Sequence, residues 1–215
     1  AILFIVLMLQ ALITQAQSNR KGERYTGFVA SFGTRAVSVS SDIEKIDNTN
    51  LMATGGQVGL IYGSNILRSK LGLLGYYTSI GNTAGSTDLY QTNLALNFYP
   101  LALISDNDFL IAPYVTGSAS YDQFKFFGYY INQEPGVINY SQAEAPFLGK
   151  IKQINATVGL GIELKLKDRF DFIHLFSEVK FGRNLSTETA YDAFDGTSLN
   201  DQTEVVLGLS FGAHR

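Results

Sequence analysis

From Ile154 to Leu166 the chain reads INATVGLGIELKL, and apolar and polar positions alternate without a slip. Ile154, Ala156, Val158, Leu160, Ile162, Leu164 and Leu166 share one parity. Asn155, Thr157, Gly159, Gly161, Glu163 and Lys165 share the other. A period of two describes one extended strand with an apolar face and a polar face. In a soluble β-protein the apolar face meets a core and the polar face meets water. In a membrane barrel the apolar face meets lipid and the polar face fills the inside.

The same period recurs along the chain, which has no helical pattern of useful length. Strand-like segments span about 25–39, 52–62, 70–80, 89–99, 109–126, 154–166, 172–182 and 203–212. The segment 89–99 sets Tyr90, Thr92, Leu94, Leu96 and Phe98 against Gln91, Asn93, Ala95, Asn97 and Tyr99. In 109–126, Ile111, Pro113, Val115, Ala119 and Tyr121 oppose Tyr114, Thr116, Ser118, Ser120 and Asp122. The third, KLGLLGYYTSI, is blurred. Eight is an even number, and most segments reach the roughly 10 residues that a tilted strand needs to cross a bilayer. Soluble strands average nearer 5–6 residues.

The connections alternate in length. GSNILRS, PLALISDND and KDRFD are short; 40–51, 81–88, 127–153 and 183–202 are longer and more polar. Short turns at one end and long loops at the other predict an all-β, up-and-down antiparallel transmembrane β-barrel of about eight strands, long loops outside the cell. A soluble lipocalin-like barrel would carry an apolar interior and a charged exterior. Here the second face holds Gly, Ser, Asn and Thr more often than Lys or Glu, which suits a tight interior.

Composition agrees. Charged residues make up 16% of the 215, below the roughly 25% of soluble domains. Twelve Tyr, 15 Phe and 21 Gly suit strands, turns and a membrane interface. A net charge of -3 gives no electrostatic case for nucleic acid, and the lack of cysteine excludes disulfides and thiolate metal sites. The opening AILFIVLMLQALI has the length of a signal-peptide apolar region. The small residues of TQA follow, then the polar QSNRKGER. Residues 1–16 are therefore expected to be a signal peptide truncated at its start, and 17–215 the barrel domain.

The TQA-QS junction, LALNFYP, VGLGIELKL and the closing VVLGLSFG together resemble the small outer-membrane β-barrel proteins of Gram-negative bacteria. That group is often labelled porin-family or outer membrane protein β-barrel domain. LNFYP and QAQS are similar to Bacteroidota barrels. VVLGLSFG looks like the C-terminal strand signal read by barrel-insertion machinery, with Phe211 as its aromatic, although the chain ends in AHR. The resemblance implies localisation in the cell outer membrane.

Glu163, Lys165, His174, Glu178, Lys180 and Glu204 all fall on the inward parity of neighbouring strands. If Asp168-Arg169 is a two-residue turn, Glu163 lies opposite His174. An eight-stranded barrel is just wide enough to be filled by side chains, so these charges are expected to pair as a rigid plug. The alternative is an ion or proton path. His174 and Glu178, four residues apart on one strand, lie roughly 13 Å apart, too far for an acid–base dyad. Asp192-Ala-Phe-Asp195-Gly and Ser105-Asp-Asn-Asp108 resemble fragments of calcium loops but read as turn chemistry. Asn155-Ala-Thr is a formal glycosylation sequon placed mid-strand and inward. In the 127–153 connection, Tyr129, Tyr130, Ile131, Ile138, Tyr140 and Phe147 form either an interface belt or a docking surface. The expected role is non-enzymatic: structural, accessory or surface-binding. A small ion or solute channel and a lipid-modifying enzyme are the alternatives. No catalytic residue, cofactor or metal is expected. The expected partners are outer-membrane lipid and a protein reached through the loops, with no nucleic acid.

Overall fold

The computed structural model describes residues 24–40, 50–80, 86–104, 110–127, 147–166, 170, 172–189 and 198–214. Eight strands follow in chain order: β1 (Tyr25–Ser40), β2 (Asn50–Gly63), β3 (Leu67–Ile80), β4 (Ser86–Phe98), β5 (Ile111–Phe127), β6 (Phe147–Lys165), β7 (Ile173–Thr189) and β8 (Ser198–His214). A four-residue helix, α1 (Leu101–Ile104), lies between β4 and β5. Each strand pairs antiparallel with its sequence neighbour. β1 pairs with β8, opposing Tyr25 to His214, and the sheet closes into a barrel with no free edge.

The 154–166 alternation resolves outward and inward as expected for a membrane barrel. Val158, Leu160 and Ile162 are exposed on the wall; Asn155, Thr157, Gly159, Gly161 and Glu163 are buried inside. The apolar wall of β6 runs from Ile154 to Leu164, ten rises of ~3.4 Å along the strand. At a tilt of ~40° that covers about 26 Å of membrane normal, close to the ~25 Å apolar band of outer-membrane barrels.

Leu73 and Leu74 explain the blurred third segment. The pairing of β3 with β4 shifts between Gly72 and Gly75, and both leucines face outward, 53% and 62% exposed. The bulge inserts one residue, so inward parity passes from Lys70 and Gly72 to Gly75 and Tyr77. The β2–β3 turn is fixed by Ser64, whose Oγ accepts from the Ile66 and Leu67 amides at 3.2 Å each.

Three expectations need correction. β6 begins at Phe147, so Phe147 is a wall residue rather than part of a loop. Residues 183–189 and 198–202 are strand, so β7 and β8 rise further than the alternation alone suggests. Glu163 opposes Phe176, and His174 opposes Lys165, because the β6–β7 connection runs from Leu166 to Phe172 and is longer than a two-residue turn. The expected leader at 1–16, the loop residues Tyr129, Tyr130, Ile131, Ile138 and Tyr140, and the acidic stretches around Asp106 and Asp192 lie outside the described residues.

Candidate functional site

The bore is built by the inward parity of all eight strands, and its contents change from one end to the other. Near the short turns, Glu163 of β6 collects three groups. Arg68 Nη1 of β3 donates to both carboxylate oxygens at 2.9 and 3.1 Å, and the Tyr99 hydroxyl donates at 2.7 Å. His174 Nδ1 lies 2.9 Å from Oε1. The Arg68 guanidinium lies between the Tyr25 and Tyr99 rings, 4.5 and 4.7 Å from their centroids, and Tyr25 stacks on His174 at 5.0 Å. A planar, weakly hydrated guanidinium suits this site, where one face meets rings and one edge meets a carboxylate.

Above this layer Glu178 of β7 takes the Lys70 ammonium and the Tyr114 hydroxyl, the latter at 2.7 Å. Lys180 lies 3.5 Å from Glu178 and 2.9 Å from Glu204 of β8. Lys70 also sits 4.3 Å above the Phe176 ring. Higher still, Arg35 of β1 pairs with Asp122 of β5 at 2.6 Å and donates to Gln202. Asn155 donates its amide to Asp122, so the sequon asparagine is an interior hydrogen-bond donor. Among the described residues the buried cations Arg35, Arg68, Lys70 and Lys180 meet the buried carboxylates Asp122, Glu163, Glu178 and Glu204 in equal number. That balance is what a low-dielectric bore requires, because each unpaired charge would cost several kcal/mol.

The end beneath the long connections is closed differently. Val37, Ala53, Tyr77, Leu89, Phe124, Ile151 and Leu199 form a buried apolar cluster inside the barrel, flanked by Leu51 and Phe126. At the same height the outer face turns polar, with Asp88, Lys125, Lys150 and Lys152 outside. The barrel thus has two patterns. Across the apolar band it is oily outside and ionic inside; above it, it is polar outside and oily inside like a soluble β-domain.

Aromatic rings fill space against glycine. Tyr114 lies opposite Gly161 and Phe176 opposite Gly208 in the strand register. A Cβ at Gly161 would stand 2.3 Å from the Tyr114 ring, and one at Gly208 2.3 Å from the Phe176 ring. Only glycine lets these rings lie flat on the wall. A small void in the bore, about 20 Å³, has room for about one water molecule and is lined by Gln57, Lys70, Asn93, Glu178, Lys180 and Glu204 among others.

Of the six charged residues singled out by parity, Glu163, His174, Glu178, Lys180 and Glu204 are buried in the bore. Lys165 is half-buried at its short-turn end. Glu163 and His174 meet diagonally, two register steps from the expected pairing. The other half of the network, Arg35, Arg68, Lys70 and Asp122, is missing from the charges that parity singles out. Asp122 and Arg35 lie on visible inward parity. Arg68 falls within a short connection by the alternation, and Lys70 lies on the strand blurred by the bulge.

No family model and no curated protein matches the sequence. Solved structures do match the fold. Neisserial surface protein A superposes with a TM-score of 0.56 at 12% identity, over 87% of this chain and 97% of that one. A major outer membrane protein from Thermus thermophilus gives 0.51 at 11% identity, over 86% and 99%. With its closed eight-stranded wall, lipid-facing apolar band and ion-paired bore, the chain has the fold of the small outer-membrane β-barrel proteins, and the outer membrane is where that wall belongs.

Proposed function

We propose that the protein is an integral outer-membrane barrel with a non-enzymatic structural, accessory or surface-binding role, its bore closed by its own side chains. The filled bore carries this reading: two ionic layers, the Arg35–Asp122 pair and an apolar cluster stand in series. A hydrated ion would have to break paired charges and then cross Phe124, Leu89 and Ile151. The channel reading lacks a continuous polar path through that cluster. The enzymatic reading would need a polar group facing lipid or an open cleft. His174 instead points inward, stacked on Tyr25 beside Glu163.

Planar-bilayer recording with the refolded full chain tests the reading. The expected record is flat, with no stable step of porin size; a stable open state would overturn it. Lipid A mass from cells expressing the protein should match that of cells expressing His174→Ala. Specificity for a protein partner would belong to the long connections, and a pull-down from native membranes in mild detergent tests that part of the proposal.

A further inference from the structure

On the outer face of β5 and β6, just above the apolar band, stand Lys125, Lys150 and Lys152. Lys125 and Lys150 are directly opposed in the register, and Lys152 opposes Gln123 one outward step lower. We propose that these three lysines form a binding site for the phosphate of a phosphorylated glycolipid in the outer leaflet. The proposal rests on reading the chain as an outer-membrane barrel and assigns that membrane one specific headgroup contact.

Three observations carry it. The first is placement. Tyr76, Tyr90 and Tyr121 on β3, β4 and β5 mark the aromatic rim of the wall, and the lysines stand at or just above it. An ammonium at that height meets the charged headgroup layer rather than acyl chains or bulk water.

The second is the juxtaposition itself. Like charges directly opposite on one face of an antiparallel pair repel, with Cβ atoms roughly 5 Å apart. Neither Lys125 nor Lys150 has a carboxylate within ion-pair distance among the described residues. Elsewhere in this barrel, buried charges are matched one for one. A phosphate oxyanion between the two amines would relieve the repulsion with charge-assisted hydrogen bonds.

The third is that the nearby carboxylates, Asp88 and Glu188, are fewer than the three lysines, and Asp88 holds other partners, so the cluster stays net positive. Asp88, opposite Lys125, accepts from the Tyr76 and Thr78 hydroxyls at 3.0 and 3.2 Å. Glu188 lies 3.5 Å from Lys152 on the side away from Lys125. The Lys125 ammonium sits 4.6 Å above the Tyr90 ring, which holds it over the rim.

The test uses the full chain refolded into phosphatidylcholine nanodiscs containing diphosphoryl lipid A, with bound lipid A counted by native mass spectrometry after mild delipidation. Wild type should retain lipid A, and the triple variant Lys125→Gln/Lys150→Gln/Lys152→Gln should retain at least about tenfold less while remaining heat-modifiable. Arg24→Gln, which removes one positive charge beyond the opposite end of β1, should behave as wild type. Dephosphorylated lipid A should be lost from wild type as readily as diphosphoryl lipid A is lost from the triple variant. Equal retention by the triple variant and wild type would overturn the site, as would an equal loss in Arg24→Gln. So would complete competition by millimolar inorganic phosphate, which would mark an anion site with no preference for lipid. Failure of wild type to enter the nanodisc would instead remove the membrane reading on which the site rests.

Discussion

Asp122 of β5 meets Arg35 of β1 across the bore at 2.6 Å, and both side chains are wholly buried. The two strands are not neighbours in the barrel, so this pair ties opposite walls together. Asp122→Ala leaves a guanidinium in a low-dielectric bore without its directly paired carboxylate, hydrogen-bonded to Gln202, and should cost about 3–5 kcal/mol. Replacing both partners, as Arg35→Met with Asp122→Leu, removes the orphaned charge and should cost much less than the two single changes added together. Urea unfolding from lipid vesicles reads the cycle. Additive losses would mean that the pair does not act as a unit.

The apolar cluster predicts that closure survives damage to any one layer. Phe124→Ala removes a fully buried ring and should cost about 3–5 kcal/mol. Planar-bilayer conductance should nevertheless stay at baseline, because the Arg35–Asp122 layer and the Glu178 and Glu163 layers still stand below the cavity. An open state in this variant would make the apolar cluster the only gate.

Gly161 and Tyr114 make a packing prediction that sequence alone would miss. Gly161→Ala places a Cβ 2.3 Å from the ring, so the ring must leave the wall and with it the hydrogen bond to Glu178. The variant should unfold at markedly lower urea, by roughly 1–3 kcal/mol. Adding Tyr114→Ser should recover much of the clash, though not the lost hydrogen bond. Destabilisation by Gly161→Ala that is unchanged in the Tyr114→Ser background would place its cause elsewhere.

The wall was the most legible part of the sequence, because a period of two over ten or more residues has one structural meaning once the charge content is known. The interior was half legible. Parity marks which residues face inward, yet it does not say which opposing side chains meet, since partners such as Arg68 and Glu163 come from strands that are not adjacent. The bulge at Leu73 and Leu74 hid Lys70 by reversing parity mid-strand. Strand ends above the membrane were the least legible. There the apolar parity switches from outside to inside, as between Ile154 and Ile151 on β6, and a pattern that reverses reads as a loop.

That reversal gives the sharpest test of where the membrane ends. Leu160 of β6 and Leu185 of β7 are almost equally exposed, 67% and 64%. Exposure alone therefore predicts the same tolerance to charge. Their surroundings differ. Leu160 stands among Val158, Ile162, Val115 and Val179, within the apolar band. Leu185 stands at the upper edge of that band, level with Ile154 and Asn155, beside Asn184 and Ser186, whose amide is capped by the Asn184 side chain. Leu160→Lys should cost about 2–4 kcal/mol in vesicles, the range for a lysine on the lipid face near the midplane. Leu185→Lys should cost no more than about 1 kcal/mol, the range for a lysine near the membrane interface. Urea titration of both variants in the same vesicles compares them directly. Equal small costs would mean that neither residue meets lipid and would remove the membrane assignment of the wall. Equal large costs would move the upper boundary of the apolar band past Leu185, and the three lysines would then lie too low to meet a headgroup.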